Sequence, residues 1–461
     1  MQVTTPPNSL TDEISRVLTG FTRWLNGYGE SSWDYQSFYA GPIGGSAKVV
    51  YYRSRLVGTA AVAPMVFCEA FVPSWRRLFH RRMRFPIADA HYAMGFAFLY
   101  ETTSNMPYLE RAMHFLRMLK ETRCTQFKEY CWGYPFDWVT RNGVIERQTP
   151  LITSTPYAYE AFLQVLQIFE REETMGHPIS LTLSPLEGRP GLLTPSSEMK
   201  QILESIARHA SADIKDFKTS ATASSSSYTP FDKGRVINAA AYRAFLLTSA
   251  SQVFSNDNYW KIAERNLNFV IENQNADGSW PYAVDGVRDF VDHFHTCFVM
   301  KALAKIHALT GHQACKDALA KAVSYYLNNL FDVDGLPKPF SKAPRLTVYK
   351  RELYDCAECI NLCLLLRDRF PQLAVTLRTV TKGILDNWVK PDGSFRSRRL
   401  YWGWDNVPMH RWGQSQMFRS LAYYLSETKK AEKLKAETHS EDGRQKAEDG
   451  GLRATVATQP R

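Results

Sequence analysis

A loop signal that recurs three times at nearly constant spacing most constrains the fold of this 461-residue chain. Asp-Gly pairs begin at Asp277, Asp334 and Asp392, so the intervals are 57 and 58 residues. An aromatic residue or proline follows each pair closely. A period of this length fits one helical hairpin with its loops. The sequence therefore predicts repeated helical hairpins.

Within each interval a mostly apolar helix precedes an amphipathic one. The first is expected to be buried on all sides, and the second to show one face to water. This alternation predicts an all-α double ring, an α/α toroid of six to seven hairpins with inner and outer helices. The expected pairs are 88–100 with 107–123, 156–169 with 199–214, 236–253 with 258–273, 291–309 with 313–330, and 353–366 with 373–388; the helix at 410–425 has no partner after it.

Three regions depart from the repeat. Residues 1–426 are predicted to form the toroid domain, with irregular insertions at 30–85 and 175–232. Residues 427–461 are charged and nearly free of large apolar side chains, a composition typical of disorder. We predict a disordered charged tail there.

Composition excludes some functions. The net charge is +10, but the basic runs are scattered and none alternates with aromatic residues, so no nucleic-acid partner is predicted. An acidic saccharide is compatible with this charge. No secretory signal and no apolar run of membrane-spanning length is seen. Several of the eight cysteines lie in apolar helical patterns, which favours a reducing compartment, and we predict the cytoplasm.

The segment from Gln274 to Trp280 resembles the Gln-Trp loops of the squalene-cyclase and prenyltransferase toroids. The helical-hairpin ring also resembles the six-hairpin glycosidases, the sugar 2-epimerases and the helical domains of uronate lyases and glucuronyl C5-epimerases. The segment from Asp392 to Gln416 is similar to toroids of bacterial exopolysaccharide gene clusters. These resemblances imply a ring over about residues 85–425. No Asp-x-Asp-Asp motif occurs, which argues against terpene cyclisation.

Polar residues before the inner helices should converge on one rim of the ring. Glycoside hydrolysis needs two carboxyl groups across the scissile bond. Asp292 and Asp355 precede successive inner helices and form the predicted pair, with Glu358 close behind. The alternative is that each aspartate only caps its helix.

A lyase or epimerase instead needs a base for an acidic C–H proton and a cation for a uronate. His293, His295, His410, Tyr354 and Arg411 supply these types. An internal ion pair between Arg411 and Asp405 is the alternative role for the arginine.

Aromatic side chains stack on pyranose rings and point to a saccharide substrate, although some of them are expected only to plug hairpin ends. The predicted substrate-binding residues are Trp132, Tyr134, Trp280, Tyr282, Trp404, Arg411, Trp412 and Gln414.

Zinc is the alternative for His293, His295, Cys297, Cys356 and Cys359. However, Cys356, Cys359 and Cys363 have the spacing of an apolar packing stripe, so no metal and no cofactor is predicted. The predicted function is a carbohydrate-active enzyme of exopolysaccharide metabolism, a glycoside hydrolase or a uronate lyase or epimerase. A non-catalytic saccharide-binding scaffold and a zinc-dependent transferase or cyclase stay open as alternatives.

Overall fold

The computed structural model describes residues 9–183, 194–345 and 347–454, with side chains described up to residue 435. Its N-terminal helix is α1 (Leu10–Tyr28), followed by α2 (Pro42–Arg53), α3 (Arg55–Phe71) and α4 (Arg76–Phe79). The ring helices follow in chain order: α5 (Pro86–Thr103), α6 (Met106–Glu121), α7 (Thr155–Thr174), α8 (Pro195–Arg208), α9 (Ile237–Val253), α10 (Asp257–Glu272), α11 (His293–Thr310), α12 (Gln313–Asn329), α13 (Leu353–Leu366), α14 (Gln372–Asn387) and α15 (Ser415–Ala454). Short 3-10 or π turns lie at Tyr35–Phe38, Pro73–Trp75, His209–Asp213 and His410–Gln414.

The odd-numbered helices from α5 to α15 form the inner ring. Helix α9 shows why: every residue from Ile237 to Ala250 is buried, whereas its neighbour α10 buries only one face. The ring closes because α15 packs against both α13 and α5. Gly95 permits that closure, since a Cβ there would lie 2.7 Å from the Phe418 ring. The predicted all-α toroid is confirmed.

The outer ring is completed from the far end of the chain. Helix α1 packs against α15 and α14 and is therefore the outer partner that the last inner helix lacks in sequence. Gly393 of the third Asp-Gly loop has a φ of +92°, and a Cβ there would lie 2.5 Å from the Gly20 carbonyl oxygen of α1. The described residues thus contain six inner–outer pairs.

The Asp-Gly pairs lie in turns after the outer helices. Asp277 Oδ1 accepts hydrogen bonds from the backbone N–H (2.9 Å) and the hydroxyl (2.7 Å) of Ser279, and Asp392 does the same with Ser394. Gly278 has a φ of +93°, but it lies five residues beyond Asn273, the residue that ends α10. The glycine therefore shapes the turn after the outer helix and does not end the helix itself.

Short antiparallel strands join the loops that lead into the inner helices. The pairs are β1 (Trp138–Thr140) with β2 (Gly143–Ile145), β3 (Asp216–Lys218) with β4 (Ser224–Ser226), β5 (Val291–Asp292) with β6 (Phe340–Lys342), and β7 (Tyr349–Glu352) with β8 (Arg398–Leu400) and β9 (Gly403–Asp405). Because β5 precedes α11 and β7 precedes α13, these pairings fix the starts of the inner helices relative to one another.

The predicted domain limits stay predictions. The stretch 30–85 contains α2, α3 and α4, and the stretch 175–232 contains α8, β3 and β4; residues 184–193 lie outside the described residues. Helix α15 continues past residue 427 to Ala454, and residues 455–461 are not described. Among the described residues no single helix has the length and apolar character to cross a membrane; one bent pair, Arg55–Phe71 with Pro73–Phe79, meets both criteria together.

Candidate functional site

Asp292 and His295 form a hydrogen-bonded pair at the start of α11. Asp292 caps the helix: one carboxylate oxygen accepts the His295 backbone N–H at 2.8 Å, and the other lies 2.6 Å from His295 Nδ1. The carboxylate can only accept, so the neutral imidazole carries its proton on Nδ1 and its lone pair on Nε2. No partner for Nε2 is found in the described part of the chain, and the His295 side chain is 19% exposed. The pair has the arrangement of an oriented base.

Asp355, in the first turn of α13, has the opposite surroundings. Its side chain is fully buried, and neither carboxyl oxygen has a hydrogen-bond partner among the described residues. Burial, followed by the nearby carboxyl groups of Glu352 and Asp292, raises the pKa of Asp355 well above its ordinary value of 3.8. Such surroundings favour the protonated form of a carboxyl group, the form that can act as an acid.

Two further carboxyl groups border Asp355, and both have cationic partners. Glu352 pairs with Arg398, which also contacts Glu69 at 2.6 Å. Burial raises the pKa of Glu352, and Arg398 opposes that rise. Glu358 pairs with Lys301 of α11. Of these four acids on α11 and α13, only Asp355 lacks a stabilising partner.

Four aromatic side chains lie beside these acids, and we call them the aromatic wall: Trp412, Tyr354, Phe294 and Tyr282. Trp412 stands edge-on to Tyr354, with ring centroids 4.6 Å apart, and Phe294 lies 5.1 Å from Tyr354. Tyr282 stands edge-on to His295 at 4.6 Å. The Trp412 indole N–H is buried without a hydrogen-bond acceptor among the described residues. The aromatic wall therefore combines apolar ring faces with a few polar atoms at the ring edges.

A second polar layer lies deeper in the ring. His91 packs against Tyr157 at 4.4 Å between ring centroids, and the Tyr157 hydroxyl is bonded to that of Tyr242. Arg419 Nη1 lies 3.3 Å from His91 Nδ1. Burial lowers the pKa of His91 well below 6.5, and Arg419 lowers it further. His91 is therefore neutral at physiological pH.

No protein-family model and no curated protein sequence matches the chain. Solved structures do match in shape. An unsaturated glucuronyl hydrolase from Bacillus sp. GL1 has a TM-score of 0.55 at 12% identity, with 89% of this chain and 96% of that chain covered. A polysaccharide lyase has a TM-score of 0.51 at 9% identity, with 91% of this chain and 98% of that chain covered. A cellobiose 2-epimerase from Bacillus thermoamylovorans has a TM-score of 0.52 at 9% identity, with 74% of this chain and 87% of that chain covered. The chain therefore shares the α/α toroid fold of these structures.

The toroid brings together six of the residues predicted from sequence. Asp292 and Glu358 lie close enough to Asp355 for each of them to raise its pKa. Tyr354, Tyr282 and Trp412 belong to the aromatic wall beside them. The alternative reading of Asp292 as a cap is also correct, because one carboxylate serves both the helix and His295. Asp355 caps nothing, since Glu352 occupies the N-cap position of α13.

Two predicted histidines point elsewhere. His293 Nε2 bonds the Tyr326 hydroxyl at 2.8 Å, and its Nδ1 bonds the Leu330 carbonyl at 3.1 Å, so the ring faces the outer layer. His410 lies between the Tyr92 hydroxyl (2.5 Å) and the Gly29 carbonyl (3.0 Å). Burial lowers the pKa of His410 to about 3. Both imidazoles have a structural place in the toroid.

Arg411 is engaged inside the protein. Its guanidinium makes two bonds to Asp34, at 2.9 and 2.6 Å, and lies 4.3 Å from the Tyr134 ring centroid. The expected internal pair with Asp405 is wrong in its partner, because Asp405 pairs with Arg76 at 2.7 Å. Arg411 thus holds Tyr134 and the wall in position.

The other predicted substrate-binding residues support the loops. Trp132 is fully buried and donates to the Leu119 carbonyl, and Trp280 donates to the Val270 carbonyl, both at 2.8 Å. Gln414 makes two hydrogen bonds to the Phe395 backbone. Trp404 packs edge-on against Trp388 at 5.0 Å. These residues plug hairpin ends, as the alternative reading held.

The cysteines are packing residues in the described structure. All eight are unpaired and buried. Within the described residues no group of three His, Cys, Asp or Glu side chains is arranged to hold a metal ion. The zinc-dependent alternative therefore finds no ligand set there.

Sequence reasoning missed the deeper layer. Lys301, Arg419, Tyr157 and Tyr242 were not among the candidates. The sequence does carry a signal for the two cationic residues, because Lys301 and Arg419 interrupt otherwise apolar stretches of inner helices.

Proposed function

We propose that this toroid is a carbohydrate-active enzyme that moves a proton to and from a sugar carbon, as a sugar epimerase or lyase does. The observation that carries the proposal is the contrast at the α11 and α13 starts. Asp292 orients the His295 imidazole with Nε2 free, whereas Asp355 is buried without a hydrogen-bond partner among the described residues, and burial raises its pKa. One group is prepared to take a proton and the other to give one.

The chemistry follows from these two states. His295 Nε2 takes the proton from a carbon made acidic by a neighbouring carbonyl or carboxyl group. Asp355 donates its proton to the oxygen on which negative charge develops. In an epimerase, water then gives a proton to the opposite face of the carbon and its hydroxide takes the proton held by His295, while Asp355 recovers its proton from the oxygen. In a lyase, the substituent on the next carbon leaves with the proton held by His295, and Asp355 again recovers its proton from the oxygen. Asp292 stabilises the imidazolium formed in the first step, since its carboxylate already bonds Nδ1.

The surroundings suit a saccharide. Trp412 and Tyr282 are only partly buried, and their flat apolar rings can stack on the C–H faces of a pyranose ring. Support of a second kind comes from the similar structures, which are described as a cellobiose 2-epimerase, a polysaccharide lyase and an unsaturated glucuronyl hydrolase. The shared ring does not choose among their reactions, so the choice rests on the His295 and Asp355 arrangement.

The proposal is tested by turnover of a saccharide panel in D2O, followed by NMR. The panel should contain neutral disaccharides and uronate oligosaccharides. We expect deuterium exchange at one sugar carbon with the native chain, and a loss of at least about 100-fold for His295→Ala and Asp355→Asn.

Asp289→Asn is the matched control. Asp289 lies in the same loop as Asp292, but its side chain is 65% exposed and pairs with Lys342 on the surface. This variant should turn over normally. Hydrolysis without exchange at carbon, or full activity of both site variants, would disprove the proton-transfer proposal. Binding without turnover would favour the saccharide-binding scaffold instead.

The biological setting is proposed on narrower grounds. The segment from Asp392 to Gln416 supports a role in bacterial exopolysaccharide metabolism through its similarity to toroids of such gene clusters. The eight unpaired thiols support a reducing compartment, for which we propose the cytoplasm. An acidic substrate is compatible with the net charge of +10.

A further inference from the structure

The outer face of α3 is apolar although it is open to solvent. Leu56 is 87% exposed and Phe67 58% exposed, and Leu78, in the short helix α4, is 70% exposed. Trp402 of the β8–β9 turn, 73% exposed, stacks on Phe71 with ring centroids 5.3 Å apart. Monomeric proteins rarely leave a continuous surface of this kind uncovered. We call the surface formed by Leu56, Val57, Phe67, Phe71, Trp75, Leu78 and Trp402 the α3 face.

The α3 face is not a misplaced core. The opposite side of the same helix is packed: Met65 and Cys68 are buried and form a small cluster with Phe38. The hairpin of α2 and α3 is also tied to the ring, because Glu69 pairs with Arg398 at 2.6 Å. One side of α3 therefore packs against the rest of the protein, and the opposite, apolar side is exposed to solvent.

The charge around the α3 face selects its partner. Residues 42–84 contain eight Lys and Arg and a single acidic residue, Glu69, which the Arg398 pair removes from the surface. Arg53, Arg55, Arg77 and Arg81 are exposed. An apolar helix face bordered by arginine and tryptophan is the pattern of a helix that lies in the interface of an anionic membrane. A symmetric dimer through this face would bring the same arginines together, which disfavours a second copy.

We propose that the α3 face docks onto an anionic lipid bilayer, with its apolar side chains among the acyl chains near the surface and its arginines at the headgroups. This proposal is independent of the reaction proposed for the site. Docking would hold the toroid at the membrane with the loops around Arg398 close to the lipid surface.

The test is flotation of the full chain with vesicles, one set of neutral phosphatidylcholine and one containing about 30% phosphatidylglycerol, a headgroup charge that attracts basic surfaces. We expect binding to the anionic vesicles, and binding at least about tenfold weaker to the neutral ones. Leu56→Gln with Phe67→Gln should weaken anionic binding by about tenfold or more, since each side chain loses its apolar burial. Arg53→Gln with Arg77→Gln should weaken it by about twentyfold.

The matched control is the double variant Val333→Gln with Val375→Gln. Both residues are apolar and exposed, Val333 in the loop after α12 and Val375 on α14, and this variant should bind vesicles as the native chain does. All substituted residues are exposed, and unchanged thermal midpoints will verify that each variant is folded. No binding to anionic vesicles, or equal binding by the α3-face variants, would overturn the proposal. So would a dimer in solution that Leu56→Gln with Phe67→Gln dissociates, because the face would then be a protein interface.

Discussion

Asp292 and Asp355 occupy similar places in the sequence, yet their removal should change stability in opposite directions. Asp292 accepts two hydrogen bonds, from the His295 backbone and from its ring. Asp292→Ala removes a helix cap and should cost about 1–2 kcal/mol. Asp355 accepts none and is crowded by other carboxyl groups, so Asp355→Asn removes a penalty and loses no bond.

The gain from Asp355→Asn should depend on pH. Its pKa in the folded chain lies well above 3.8, the ordinary value, so the folded protein holds a proton that the unfolded chain releases. The contribution of Asp355 to the free energy of unfolding is then most favourable below pH 4, and it is lost as the pH rises towards the pKa of Asp355 in the folded chain. We expect the asparagine variant to gain about 1–3 kcal/mol at pH 8, because asparagine does not titrate and avoids the cost of the raised pKa, which is about 1.4 kcal/mol for each pKa unit. At pH 4 the gain should nearly vanish.

Urea unfolding followed by far-UV circular dichroism at pH 4, 6 and 8 measures both effects. Comparison of midpoints and slopes for the native chain, Asp292→Ala and Asp355→Asn separates stability from changes in the unfolded state. If Asp355→Asn destabilises the chain at pH 8 by as much as Asp292→Ala does, Asp355 has a partner in the folded state. The assignment of Asp355 as a protonated acid would then be refuted.

Three further experiments test the ring. Gly393→Ala should cost about 2–5 kcal/mol, from a positive φ and a clash with the Gly20 carbonyl, whereas Gly286→Ala, with a φ of +74° and open space, should cost only about 1–2; thermal midpoints compare them. Gly95→Ala should cost about 1–3 kcal/mol in the same assay, because its methyl group would meet Phe418. Asp34→Asn and Arg411→Gln should each cost about 3–5 kcal/mol and combine less than additively in urea unfolding, since they break one buried pair.

The ring could be predicted from sequence because its causes are local. The period of the Asp-Gly loops and the alternation of apolar with amphipathic helices both follow from neighbours in the chain. Closure by α1 could not be predicted in this way, because its partner helix begins about 400 residues later and no local pattern links them. The same limit applies to Gly393, whose neighbour Gly20 belongs to α1.

The sequence could predict which residues lie near the starts of the inner helices but not where each side chain points, because a helix turns by 100° per residue. His293 and His295 are two residues apart at the start of α11 and therefore point in nearly opposite directions, one to Tyr326 of the outer ring and one to Tyr282 of the wall. Likewise, Asp292 is the N-cap residue of α11, whereas Glu352 is the N-cap residue of α13, so that Asp355 lies inside the first turn of that helix. A shift of three residues separates a capping carboxylate from an acid.

The stretch 30–85, which the repeat does not explain, has its clearest role in the ion pairs of the site. Asp34 holds Arg411, Arg76 holds Asp405, and Glu69 holds Arg398. Each pair joins this stretch to the last loops of the ring, and each is nearly or fully buried. A buried charge that loses its partner is strongly destabilising, so these loops depend on residues 30–85 for their position. Because Arg398 also binds Glu352 beside Asp355, this stretch and the acid of the proposed reaction belong to one connected structure.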